Sequence, residues 1–300
     1  MHPIEIDDLT YRYGPRRGIE NVSLSVPEGT LFGFLGPNGA GKTTTIRVLL
    51  GFLRSTHGRT SIFGKDCWRE TRIIKQDVGY VPGDLRLWPW LDGRSALRLF
   101  ASVRGRDLMP GGTRLADMFE LDLSVKVRRM SKGMRQKLGL ILAMAHEPRL
   151  LILDEPSSGL DPLMQDRLLD YLRSASRQGR TVFFSSHTLS EVERLCDRLA
   201  IVRAGRIVFD GVLSELQRQA GHVVRVRWNA GVTPPANGLA ALRVIEQSPR
   251  AWSAHFGGSI EDLLAWLAGK PIEDLSIARP DLEALFKQYY EEHAAPEQRP

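Results

Sequence analysis

Residues 36–43 read Gly-Pro-Asn-Gly-Ala-Gly-Lys-Thr and fit the pattern G-x-x-x-x-G-K-[ST]. A loop of this kind holds phosphate. Gly36, Gly39 and Gly41 allow successive backbone N–H groups to curl around an anion, with Pro37, Asn38 and Ala40 completing the turn, and the helix that follows adds partial positive charge at its N-terminus. Lys42 would reach the outer phosphates, Thr43 would offer its hydroxyl to Mg²⁺, and Thr44 stands beside it. A second chemical group closes the apolar run at 150–155, Leu-Leu-Ile-Leu-Asp-Glu. There Asp154 suits the Mg²⁺ shell, while Glu155, one residue on and pointing differently, suits the alignment and polarisation of an attacking water. The two groups are complementary halves of a site for cleaving a nucleoside triphosphate.

These residues need strands and helices to hold them. Apolar runs at 31–35, 150–153 and 181–185 predict strands, each followed by polar or glycine-rich residues and then a helical pattern, which is the texture of an α/β domain with a partly parallel sheet. Ligands of such sheets bind beyond the carboxyl ends of the strands, where both groups fall. A helix is expected over 46–53, after the glycine loop. Residues 85–129 are rich in Leu and Arg at helical spacing and read as an inserted helical subdomain. Beyond residue 221 the texture changes. Val224, Val226 and Trp228 alternate with Arg225 and Arg227, predicting a strand with one wet face, and residues 251–256 predict further β structure. Ser259 and Asp262 form a capping box ahead of Leu263, Leu264 and Leu267. After Pro280, the spacing of Leu282, Leu285, Phe286 and Tyr289 predicts a last amphipathic helix. The expected division is a domain over 1–220, a small α+β domain over 221–293 and a loose tail over 294–300.

Composition narrows the class further. Of 300 residues, 42% are hydrophobic and 25% charged, which excludes disordered and fibrous chains. No uncharged stretch is long enough to span a bilayer, and the acidic N-terminal residues lack the pattern of a secretion signal, so a cytoplasmic location is expected. Cys67 and Cys196 are too few for a disulfide framework and read as packed thiols. The net charge of +6 is uneven: residues 1–219 carry 33 basic and 25 acidic residues, and residues 220–300 carry 8 and 10. The arginines are dispersed rather than run together, so nucleic acid is not the expected partner.

Ser131-Lys132-Gly133-Met134 lies ahead of the Asp154-Glu155 strand. With that segment included, the sequence resembles the nucleotide-binding subunits of ATP-binding cassette (ABC) transporters, whose signature loop more often reads Ser-Gly-Gly-Gln. Residues 4–215 carry the motifs in the family's order. The resemblance implies a P-loop cassette with a helical subdomain at about 85–145, ATP and Mg²⁺ as ligands, and a dimer of cassettes, of one chain or two related ones, that sandwiches two ATP molecules. In that dimer Ser131, Lys132 and Gly133 of one chain face Lys42 and Glu155 of the other. The segment with Asp161 crosses between protomers, and His187 contacts the γ-phosphate and Glu155. Tyr13 fits the aromatic that stacks on adenine, with Tyr11 close enough to be the alternative. The family usually places a glutamine where this chain has Gly83, and Asp84 is the neighbouring residue that could substitute as a metal sensor. The ending at 278–286 resembles a branch whose partners are ABC-2 type membrane permeases, many of them exporters of drugs or antibiotics, so the subunit would sit on the cytoplasmic face of the membrane, docked through residues 83–98. The alternatives are a soluble ABC-type ATPase acting on nucleic acid or ribosomes, and a small-molecule phosphotransferase, in which the signature loop has no role.

Overall fold

The computed structural model describes residues 2–14, 16–219, 221–232 and 239–278. The helix expected after Pro280 and the tail over 294–300 lie outside these residues. The contacts divide the chain into two units, Met1–Gly211 and Val212–Pro300. The break falls ahead of the expected residue 220.

The first unit opens with β1 (Ile4–Tyr13), β2 (Arg16–Val26) and β3 (Leu31–Leu35), then α1 (Lys42–Leu49), β4 (His57–Ile62), β5 (Lys65–Asp66), the short α2 (Thr71–Ile74) and β6 (Val78–Val81). Three helices follow, α3 (Gly93–Arg104), α4 (Met109–Met118) and α5 (Lys132–Met144). The chain then returns through β7 (Leu150–Asp154), α6 (Pro162–Arg177), β8 (Thr181–Ser186), α7 (Leu189–Leu195), β9 (Arg198–Arg203) and β10 (Arg206–Val212). The expected strands are present. The expected helix over 46–53 starts earlier and ends at Leu49, because Gly51 takes a φ of 65° that stops it. Within the expected helical insertion, residues 85–92 form no helix; α3 begins only where the Asp92 side chain caps the Ser95 amide at 2.8 Å.

Two sheets share this unit. One is antiparallel at its β2-β1-β4-β5 pairings, and the other runs β10-β9-β3-β8-β7-β6 with parallel neighbours from β9 to β6. Every residue of β3, β7 and β8 is buried. Such runs suit central strands covered on both faces, and they explain why the motifs follow apolar rather than alternating sequence. Within the core Phe32 stacks on Phe183, and Phe34 lies tilted against the same ring. Cys67 and Cys196 are both free and buried; burial pushes the Cys67 thiol up to about 12 and raises that of Cys196 as well.

The second unit begins with α8 (Leu213–Gln219) and continues through β11 (His222–Trp228), β12 (Leu242–Gln247), β13 (Ala251–Phe256), α9 (Ile260–Leu267) and β14 (Ile272–Ala278). Its antiparallel sheet has the order β12-β13-β11-β14. Val224, Val226 and Trp228 turn inward against Trp252, Ala254 and Phe256, and α9 closes the core with Leu263 and Leu267. Ser259 caps α9, but its hydroxyl accepts from the Glu261 amide rather than from that of Asp262. Among the described residues, no helix is long and apolar enough to cross a membrane.

Candidate active site

The glycine loop joins β3 to α1, at the carboxyl end of a central strand, as the sequence requires. Gly36 has no room for a side chain: a Cβ there would lie 2.3 Å from the Val202 carbonyl oxygen. Gly41 adopts a φ of 110° directly before α1, a conformation that L side chains rarely take. Lys42 is buried, and its Nζ donates to the carbonyls of Gly36 at 2.6 Å and Pro37 at 3.2 Å while standing 3.6 Å from Glu155 Oε1. Burial lowers its pKa, and the nearby Glu155 and Asp154 charges only partly offset this. A phosphate entering the loop would supply the negative charge that such an amine lacks.

At the end of β7 the two carboxylates part company. Asp154 is 1% exposed; its Oδ2 accepts from the Thr43 hydroxyl at 2.8 Å, and its Oδ1 accepts from Ser185. Glu155 leaves the strand with a φ of 50°, its amide still bonded to the Ser185 carbonyl at 3.1 Å. That left-handed residue costs of order 1–2 kcal/mol. It turns the side chain out of line with the strand, so that Oε1 meets both Lys42 and, at 3.2 Å, His187 Nδ1. His187 follows the last residue of β8 and is half exposed.

A cleft of about 290 Å³ opens above the loop, lined by Tyr13, Gly18, Pro37, Asn38, Gly39, Gly41, Lys42, Thr43, Thr44 and Glu155. Tyr13 reaches its mouth from β1, its hydroxyl 3.3 Å from that of Thr44, and Tyr11 stands edge-on behind it with centroids 4.9 Å apart. Tyr11 packs against the core, so of the two rings Tyr13 is the one on the cleft. A larger cleft of about 700 Å³ lies on the second unit. It holds none of these groups, and residue chemistry rather than size marks the site.

The remaining expected residues do not line this cleft. Ser131 caps α5, its Oγ accepting from the Met134 amide at 3.2 Å, and Asp161 caps α6 by accepting from Met164 at 3.0 Å. A Cβ on Gly133 would sit 2.7 Å from the Gly159 carbonyl, so this glycine permits a close approach to the Ser158–Asp161 segment. Lys132 runs beside Gly159, and its Nζ donates to Ser158 Oγ at 3.2 Å. The departure from Ser-Gly-Gly-Gln is thus used within its own chain. Gly83 lies against Asp154, where a Cβ would meet Oδ2 at 3.4 Å. Asp84 is held instead by Arg86 in an exposed ion pair at 2.9 Å.

Three polar residues escaped the sequence reading. Ser185 holds Asp154, Gln136 Nε2 donates to the Pro156 carbonyl at 2.9 Å, and Glu191 binds two serines. The available signal was the Ser185-Ser186 pair closing an otherwise apolar strand, since buried hydroxyls require partners.

A glycine loop closing on a buried lysine, a Thr43–Asp154 pair and a turned-out Glu155 define a P-loop nucleoside triphosphatase. The ABC transporter family model matches residues 19–158. The chain is 34% identical over 297 residues to the daunorubicin resistance ATP-binding protein DrrA3 of Streptomyces coeruleorubidus, covering 94% of each chain. It is 30% identical over 302 residues to the linearmycin resistance ATP-binding protein LnrL of Bacillus subtilis strain 168, covering 94% of this chain and 96% of that one. Among solved structures, an ATP-binding subunit of an ABC transporter superposes with a TM-score of 0.68 at 32% identity, covering 72% of this chain and 92% of that chain. The chain therefore belongs to the ATP-binding subunits of ABC transporters and is an ATPase built on their cassette fold.

Proposed function

We propose that the chain drives export through a separate ABC-2 type permease, hydrolysing MgATP between two cassettes. The observation that carries this reading is the separation of two half-sites on one unit. Tyr13, residues 37–39 and 41–44 and Glu155 gather at the cleft, while Lys132 and Gly133 lie against the Ser158–Gly159 segment and, like the helix caps Ser131 and Asp161, do not line it. A second cassette, a copy or a relative, would bring its Ser131 and Gly133 to the open side of the cleft. The resistance names of DrrA3 and LnrL support export, with drugs or antibiotics as the class of cargo in this reading.

In this reading Tyr13 stacks on adenine, Lys42 and the loop amides take the phosphates, Glu155 orients the attacking water, and His187 holds Glu155 and senses the γ-phosphate. Thr43 and Asp154 fit a magnesium ion: a hydroxyl already faces a buried carboxylate at 2.8 Å, oxygen donors of the kind that ion prefers. Among the described residues, no group of three or more His, Cys, Asp and Glu could hold a metal without help. Bound there, the ion would take its other ligands from phosphate and water and neutralise charge on the transferred group. The permease would dock at residues 83–98, where Trp88 and Trp90 are 49% and 67% exposed with rings 6.5 Å apart. These rings would otherwise stand bare in water.

The test is the nucleotide-driven dimer. Glu155→Gln with MgATP is expected to elute as a dimer, and adding Ser131→Ala and Gly133→Asp to that variant to abolish the dimer; a monomer throughout sinks the sandwich. Membrane extracts passed over the full chain should yield an integral membrane protein whose capture fails with Trp88→Ala/Trp90→Ala.

A further inference from the structure

Glu191 lies in the first turn of α7 and does not border the nucleotide cleft, yet both of its carboxylate oxygens are engaged. Oε1 accepts from Ser157 Oγ at 2.6 Å, and Oε2 accepts from Ser186 Oγ at 2.7 Å. The two serines are 8% and 1% exposed, so neither hydroxyl has water to turn to. Their places in the chain give this bridge its meaning. Ser157 stands two residues after Glu155, within a tight turn in which the Ser158 amide donates to the Glu155 carbonyl at 3.2 Å and the Leu160 amide to the Ser157 carbonyl at 3.0 Å. Ser186 immediately precedes His187, and its Oγ also accepts from the Thr188 amide at 2.9 Å, folding the chain around the histidine.

We infer that Glu191 is a positioning residue that clamps the Glu155 turn to the His187 turn and so fixes the 3.2 Å contact between Glu155 and His187. Two segments, 155–160 and 186–188, arrive from different strands, and beside the ladder of β7 and β8 and the Glu155–His187 contact itself, the carboxylate of Glu191 joins them through Ser157 and Ser186. Its place on α7, a helix anchored in the core by Val192 and Leu195, gives the clamp a rigid base. The inference rests on the roles given above to Glu155 and His187. Hydrogen bonding to both serines, rather than negative charge, is what the geometry uses. An amide can serve as well, accepting from one hydroxyl and donating to the other.

The full chain carries the test. In Glu191→Ala, kcat should fall ~10- to 100-fold through lost orientation while KM for MgATP stays within ~3-fold of the parent. Glu191→Gln should recover kcat to within ~3-fold, because the amide supplies one acceptor and one donor. Parent-like kcat in Glu191→Ala, a KM rise that accounts for the whole loss, or a Gln variant no better than Ala would each overturn the clamp. Should Glu191→Ala fail to fold, Ser157→Ala and Ser186→Ala take its place, each expected to lower kcat ~3- to 10-fold at constant KM. Hydrogen exchange is the second arm and is independent of turnover: in the Ala variant the Ser158 and Leu160 amides should lose protection. Unchanged exchange at both rejects the inference. Lost protection in a chain that hydrolyses no ATP supports the clamp and removes the roles assigned to Glu155 and His187.

Discussion

The two units of this chain bury different things. In the first, Lys42, Gln136, His146, Asp154, Ser157, Ser185 and Ser186 are buried among apolar side chains. In the second, the buried residues are hydrophobic throughout among those described, led by Trp228, Trp252 and Phe256. Charged side chains such as Arg227 and Arg250 stay outside, where both pair with Glu273. Burying a polar group costs free energy unless a partner is found, and for a charge the cost is larger. Around the cleft the first unit meets that requirement with short bonds to Asp154, Pro156 and Glu191, although both ring nitrogens of His146 stay unpartnered. Among its described residues the second unit buries only a few polar atoms without partners, the indole N–H groups of Trp228 and Trp252 and His222 Nδ1. A unit organised around a reaction and a unit organised around packing can thus be told apart by what each hides.

The contrast breaks or sharpens under mutation. The largest effect is expected from Glu155→Gln, which keeps shape but removes the proposed base, so turnover should fall ~10²- to 10⁴-fold with MgATP affinity retained; stopped-flow ATPase and filter-binding assays separate the two. Lys42→Ala deletes a charge-assisted contact of ~1.5–3 kcal/mol, and titration calorimetry should report affinity weakened ~10- to 150-fold. Near-parent binding in that variant would mean that the buried amine is not part of the phosphate site. Trp228→Ala should destabilise the second unit by ~3–5 kcal/mol, seen as an early melting step, while ATP affinity stays within ~3-fold. Truncation after Gly211 is expected to leave MgATP binding within the same range, since the lining residues all precede that point. A folded fragment that no longer binds ATP would erase the division.

A pH effect on stability concerns His146, whose pKa is pushed down to about 4, first by burial and then by the Arg104 charge. A histidine neutral in the fold but protonated when unfolded contributes stability above its ordinary pKa of 6.5. That contribution is lost as pH falls from there toward 4, up to ~3 kcal/mol in all. Thermal melts across this window should fall more steeply for the parent than for His146→Met, and parallel curves would show that the imidazole is protonated in the fold.

Much of the site was legible because its chemistry is contiguous in sequence. Residues 36–44 and the pair Asp154-Glu155 each lie on one strand end, so strand prediction alone positions them. Glu191 was not legible, because its two partners lie 34 and 5 residues away and are joined only by the fold. The second role of Lys132 was hidden for a related reason. Comparison with Ser-Gly-Gly-Gln marked it as a departure, but nothing local in sequence indicated that its amine would bond to Ser158. Sequence singled out Tyr13, with Tyr11 two residues away as the alternative, and the pull of the core on Tyr11 leaves the Tyr13 ring on the cleft. Boundaries were the weakest reading: residues 85–92 contain good helix formers, yet Pro89 and the Asp92 cap defer the helix to Gly93.

Cys67 and Cys196 have a practical consequence for testing whether two cassettes meet as proposed. Both thiols are sealed in the core and held far from their reactive thiolate form at neutral pH. A maleimide dye or a short bifunctional crosslinker should therefore pass over the native chain, and a cysteine introduced at the exposed Lys132 becomes the sole handle. Paired with a second one at Asn38, on the rim of the cleft, it would convert closure of the proposed sandwich into a covalent band on a denaturing gel, with neither native cysteine removed for the purpose.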